Sequence, residues 1–390
     1  MRLSMNTRYA VIHASFWGAY GSLWAFIALV LEYNGFASAQ VGVVTSCATL
    51  LSVFLSPAVS SFLDARPGLE NRHGAMALLT LAAALCLLVW LVPLPRPFVL
   101  GACFALIGAF LSSTPPFQNA MAMDANRCGI PVVYGFCRGV GSVSYAAAVL
   151  LLGFVLERHA PTLLLPVFAA LTACGLIAMS GFRLPERPDE AADRPAEHRS
   201  IAAVLRSHPR FALTLLGCMF FFLTHTISNT YMNALVGKAG GPARAVGTSL
   251  AISAVLELPA MTLVSRLQKR FSPGFFLRFA AGAEVVKFLI FYLARSMPLI
   301  YLGHCMQFFQ FAVYAPATVY YVAAALPERD QLKGQSLIYV AGSGLGGALG
   351  NLLGGRLLDR SGIQAALLLG TVSAAASLLT FCLSTREDSR

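Results

Sequence analysis

Twelve apolar runs, each close to bilayer length, constrain this chain more than any other feature. They lie at about 9–32, 40–63, 75–94, 97–122, 133–156 and 161–182, then at 209–235, 243–265, 274–295, 298–325, 334–358 and 362–383. A bilayer core is crossed by ~20 apolar residues as a helix. Backbone polar groups have no water partner there, so each run must satisfy its own hydrogen bonds as an α-helix. Composition agrees: 57% of residues are hydrophobic and 12% charged, with a mean hydropathy of +0.70. Soluble domains carry ~25% charged residues, so a soluble enzyme is excluded. The expected fold is an all-α membrane protein of twelve transmembrane helices in two six-helix bundles, over 1–182 and 209–390, joined by a cytoplasmic linker at 183–208.

That linker stands out by charge. From Arg183 to Arg210 it holds eleven of the 45 charged residues and four prolines, the composition of a solvated segment. Lys and Arg set the orientation. With the N-terminus inside, nineteen fall in cytoplasmic loops and seven outside, while Arg138 and Lys287 lie within spans. The bias places both termini in the cytoplasm. It also accounts for the net charge of +11 without a nucleic-acid partner. The first run is too long for a cleaved signal and ends in no small-residue cleavage site. The nine cysteines form no CxxC or Cys/His spacing, so they read as small core residues, with no metal and no cofactor expected.

The halves resemble each other. Gly35 and Pro57 match Gly237 and Pro259 at a constant offset of 202. Repeats of this kind hold substrate near the membrane midplane. Polar residues inside spans are the candidates for that site, since a mid-bilayer charge costs on the order of 3 kcal/mol. They are Arg138, Glu257, Glu284 and Lys287, with His13, His225, Asn229, Asn233, His304, Gln307 and Gln310. Glu284 and Lys287 are three apart, so they either pair locally or leave Lys287 as an anion or proton-relay partner. Glu257 has no opposite charge in its own span and reads as either a proton carrier or a packing contact. Arg138 shares a face with Ser142 and Tyr145, a set suited to a sugar hydroxyl or a carboxylate, or else it forms a salt bridge to Asp124 or Glu257. Along the first span His13, Trp17, Tyr20 and Trp24 form an aromatic stripe, either a wall for a ring or ordinary packing. Gly342-Ser-Gly344-Leu-Gly-Gly347 fits a dinucleotide fingerprint but lies inside an apolar run, where glycines serve close helix approach.

With these residues in view, the chain resembles the major facilitator superfamily, in the branch containing lactose permease and the 3-phenylpropionic acid transporter. Tyr134-Gly-Phe-Cys-Arg138-Gly-Val-Gly-Ser142-Val-Ser-Tyr145 is similar to the span-5 signature. Glu257-Leu-Pro259 is similar to the Glu-Ile-Pro of span 8, and Leu302-Gly-His304 to the Leu-x-His of span 10. Gly334 to Tyr339 and Gly355 to Gly362 resemble the Gly-rich span 11 and its turn. Two positions depart from the pattern: Asn119 stands where span 4 has a carboxylate, as does Gln307 in span 10. The Gly-Pro signature of drug antiporters is absent from span 5.

The resemblance implies a secondary transporter working by alternating access, with a proton co-transported. Its substrate is a small organic solute, a sugar or an aromatic carboxylate. Arg138, Tyr145, Asn229, His304, Gln307, Trp17 and Asn119 are the expected substrate residues. Glu257, with His304 and Lys287, is the expected coupling group, and Asp64, Arg66, Arg72 and Asp359 the gating set. A monomer in a bacterial inner membrane is expected. An exporter or uniporter, and a non-transporting receptor or lipid-handling protein, are the alternatives.

Overall fold

The computed structural model describes residues 4–66, 68–92, 97–185 and 201–385. It is helical throughout and divides into two compact units, Met1–Glu190 and Ala191–Arg390. In the first unit the long helices are α1 (Met5–Tyr33), α2 (Ser38–Leu63), α3 (Asn71–Leu91), α4 (Pro97–Arg127), α5 (Tyr134–Val155) and α6 (Pro161–Ser180). The second holds α7 (Pro209–Thr230), α8 (Arg244–Val264), α9 (Pro273–Leu293), α10 (Met297–Ala325), α11 (Lys333–Ser361) and α12 (Ile363–Ser384). Eleven of them are long and apolar enough to cross a membrane. The exception, α9, has 21 residues but carries Arg278, Glu284 and Lys287. Part of the linker, Ile201–Ser207, is helical.

Sequence explains the helix starts. Proline, which lacks the N–H that a first turn leaves unpaired, opens α4, α6, α7 and α9. Ser4 and Ser272 cap α1 and α9 by accepting from the backbone N–H of Thr7 and Phe275. Pro57 and Pro259 both lie inside their helices. The glycine match does not carry over. Gly35 turns the chain at φ +84°, whereas Gly237 lies within the helix Met232–Lys238 and the left-handed turn falls on Gly240 at φ +68°.

The internal repeat shows instead in which helices touch. In the first unit α1 packs against α5 and α6, α2 against α4, and α3 against α4 and α6. In the second α7 packs against α11 and α12, α8 against α10, and α9 against α10 and α12. The two sets agree after a shift of six helices, and the second unit adds a contact between α11 and α12. Each unit turns large apolar side chains outward, among them Phe54, Phe98, Ile177 and Leu293. Surfaces of that kind suit hydrocarbon. All nine cysteines are unpaired; Cys86, Cys103, Cys137 and Cys218 are buried, but Cys47, Cys174 and Cys305 are exposed, so the core reading fails for those three.

Close backbone approach explains the glycine run. On α11, Gly342, Gly346, Gly350 and Gly354 sit one turn apart, and a methyl on each would meet Phe222, Met219, Leu223 or Tyr231 of the α7 segment. The obstacle at Gly346 and Gly350 is backbone, which cannot move aside as a side chain can. The dinucleotide fingerprint is therefore a helix contact, and the stretch Val340–Gly346 that overlaps it is π-helical. Gly346→Ala is expected to lower stability by about 1–3 kcal/mol, the usual penalty for overpacking. Thermal unfolding of the detergent-solubilised protein reads the shift; an unchanged melting temperature would contradict the contact.

Candidate functional site

The first unit gathers its polar residues where α1, α4 and α5 meet. Gly141 of α5 lies against the Trp17 ring and the His13 carbonyl oxygen, so no side chain fits between the helices. That approach brings the Arg138 guanidinium over the Trp17 ring, 4.0 Å from its centroid. Its Nη1 donates to Ser142 Oγ at 2.9 Å, as the i, i+4 spacing suggested. Arg138 and Trp17 are both half-buried. A cation over an aromatic face keeps its charge while part of its water is removed. Trp17 and Tyr20 stand 5.5 Å apart, ring to ring. Tyr145 packs on Gly21 of α1.

Asn119 is exposed and accepts a hydrogen bond from the Tyr134 hydroxyl at 3.1 Å. Tyr134, four residues before Arg138, was not singled out from the sequence, although its place on the Arg138 face was visible. His13 is buried between Tyr9 and Tyr134, with ring centroids at 4.7 and 6.0 Å. The stripe expected on α1 is thus divided: His13 turns into the helix contacts, and Trp17 takes Arg138.

The second unit builds a continuous polar chain. Lys287 Nζ of α9 donates to Gln307 Oε1 of α10 at 3.2 Å, and Gln307 Nε2 donates to Glu257 Oε1 of α8 at 2.9 Å. The amide links an ammonium to a carboxylate with every contact running donor to acceptor. Lys287 is 1% exposed and Gln307 4%, so little water screens that end of the chain, while Glu257 is half-buried. Gln307 can reach both because α10 is broken there. Helix runs from Met297 to Cys305, a 3₁₀ turn covers Met306–Phe308, and helix resumes at Phe311. Broken spans of this kind recur at transporter sites.

Of the two readings of the Glu284 and Lys287 spacing, local pairing fails. Glu284 and Lys287 do not form an ion pair; Lys287 turns to Gln307, and both Glu284 oxygens are buried without a hydrogen-bond partner. His304 does not bond Glu257; its Nδ1 meets Ser253 Oγ at 3.0 Å. Ser253 lies one turn before Glu257, a face relation the sequence offered and our reading did not use. Asn229 bonds His225, Nδ2 to Nε2, at 3.0 Å, and His225 stacks on Phe311 at 4.5 Å. Asn229 and His225 belong to this wall, but no hydrogen bond joins them to the Lys287 chain.

The gating candidates fall around the turn between α2 and α3 and on α11. Arg72 pairs with Glu70 at 3.0 Å and donates to the Phe182 carbonyl, tying the start of α3 to the segment after α6. Arg66 lies over the Phe62 ring at 3.5 Å. Asp359 is exposed near the end of α11. The side chain of Asp64 lies outside the described residues. Among the described residues no group of His, Cys, Asp or Glu is placed to hold a metal.

Comparison with known proteins decides the family. The model of the MFS_1 like family matches residues 6–369. The chain belongs to that family. It is therefore a major facilitator transporter, a multi-pass membrane protein and not an enzyme. Among relatives of this MFS_1-like protein, a maltose permease of Geobacillus stearothermophilus is 26% identical over 377 residues, covering 95% of this chain and 92% of its own. An uncharacterized transporter, YwbF, of Bacillus subtilis (strain 168) is 21% identical over 395 residues, covering 100% and 96%. The crystal structure of a single-residue mutant of the nucleoside transporter NupG superposes with a TM-score of 0.82 at 16% identity, over 99% of this chain and 100% of that one. At that identity the likeness establishes the fold alone.

Proposed function

We propose that this protein is a secondary active transporter that takes up a small organic solute, a sugar or an aromatic carboxylate, together with a proton, by alternating access. The observation that carries the proposal is the chain Lys287–Gln307–Glu257, buried at its lysine and amide and half-buried at its carboxylate. Charges in a membrane interior are retained where they do work, and a carboxyl linked to an ammonium changes its interactions when it takes a proton. Arg138, Trp17 and Ser142 supply a cation, an aromatic face and a hydroxyl for the solute. Tyr145, Asn119, Asn229 and His304 are its further contacts. The name of the maltose permease relative favours the sugar. Arg66, Arg72, Asp64 and Asp359 act in gating. The proposal includes twelve spans, with α9 the charged one, both termini in the cytoplasm of a bacterial cell, and a working monomer.

A thermal-shift screen of the purified protein tests the substrate. A true ligand present at 100 times its Kd stabilises by about 2.7 kcal/mol. Maltose and other sugars, or 3-phenylpropionate and related acids, are expected to raise the melting temperature. Stabilisation by nucleosides alone, or by none of these, would contradict the substrate assignment.

A further inference from the structure

Within the membrane-spanning part of the second unit, two carboxyls share one lysine. Glu257 holds Lys287 at one remove, through Gln307. Glu284 sits one helical turn before Lys287 on α9, 0% exposed, and neither oxygen has a donor. An ionised carboxylate stripped of water and given no donor is the least tolerable arrangement a protein interior can hold. Other charges do not relieve it. Between Met297 and Ala325, α10 has no Asp, Glu, Lys or Arg, and α12 has none between Ile363 and Ser384. The remaining groups in electrostatic reach of Lys287 are His225 on α7 and His304 on α10, whose Nδ1 meets Ser253 and whose Nε2 is buried without a hydrogen-bond partner.

We infer that Glu284 and Glu257 hold one proton between them, and that Lys287 selects which of them carries it by moving between Gln307 and Glu284. In the arrangement seen here Lys287 serves Glu257 through the amide, so Glu257 is the carboxylate and Glu284 the carboxylic acid. A lysine three residues beyond a glutamate on the same helix reaches it by rotating its own side chain. When Nζ crosses to Glu284, the proton leaves Glu284, and Glu257, having lost its ammonium partner, takes one up. Lys287 stays charged throughout. The cluster holds one ammonium, one carboxylate and one acid before and after. Glu284 thereby becomes a second coupling residue, and the inference rests on the proton-coupled reading above.

Infrared spectroscopy of the full chain in lipid reads the carboxylic-acid carbonyl band directly and needs no substrate, so it can fail while transport stands, and transport can fail while it stands. The expected result is a band in the unaltered protein that disappears in Glu284→Gln and in Glu257→Gln alike, because either variant leaves one carboxyl for one ammonium. Lys287→Met, which removes the ammonium and leaves both carboxyls intact, is expected to about double it. A band kept in either glutamine variant would overturn the inference, as would no band at all in the unaltered protein. A purely structural Glu284 would lower the melting temperature on conversion to Gln and leave the band in place. Should Glu284→Gln fail to fold, Glu257→Gln and Lys287→Met still decide: an unchanged band in the lysine variant contradicts the sharing.

Discussion

Glu257→Gln is expected to abolish accumulation against a pH gradient while leaving exchange of solute for solute intact. The isosteric amide keeps a hydrogen bond to Gln307 but cannot gain or lose a proton. One carboxyl then remains for one lysine, and the site has no proton to carry. A gradient of about one pH unit is worth about 1.4 kcal/mol per proton and supports about tenfold accumulation at one proton per solute. The variant should reach a ratio near one in proteoliposomes, with counterflow of labelled solute preserved. Surviving accumulation would remove Glu257 from the coupling. Loss of counterflow as well would make it a residue needed for binding or folding.

Arg138→Met is the second large effect. Methionine keeps the length and apolar bulk that cover Trp17 and removes the five donors of the guanidinium. Trp17 keeps a neighbour, so folding should persist. A hydrogen bond to a charged group contributes about 1.5–3 kcal/mol, and its loss corresponds to about 10- to 150-fold weaker binding. Titration of Trp17 fluorescence with the solute found by the thermal-shift screen measures this. Binding unchanged in Arg138→Met would mean that the guanidinium serves the helix contact through Ser142 and not the solute.

Much of this was legible in the sequence for physical reasons. Hydrophobic length fixes the spans because the bilayer fixes the length. The one helix that falls short of the apolar criterion, α9, does so through the same charges that mark it as functional. Arg138 and Ser142 could be joined in advance because one helix turn separates them, and the glycines of α11 could be read as a contact because four-residue spacing places them in a line.

What was not legible is tertiary. Glu284 and Lys287 have the spacing of a local pair, yet Lys287 has a choice of partner, and only the neighbouring helix shows that Gln307 takes it. Gln307 itself looked like the loss of a carboxylate. Its place on a 3₁₀ turn, between an ammonium and a carboxylate, makes it the link that an acid there could not be in the same way, because an amide both donates and accepts. The Gly35 match failed for a related reason: offset in sequence does not determine which glycine of a loop adopts positive φ.

The most direct test of proton-coupled uptake is solute accumulation by the unaltered protein in sealed proteoliposomes, with an acid exterior and labelled maltose as probe, or the ligand found by the thermal-shift screen. The account predicts internal solute rising above external, in step with the pH difference, and collapsing when a protonophore is added. Solute that only equilibrates, at the same rate with and without the gradient, would contradict it.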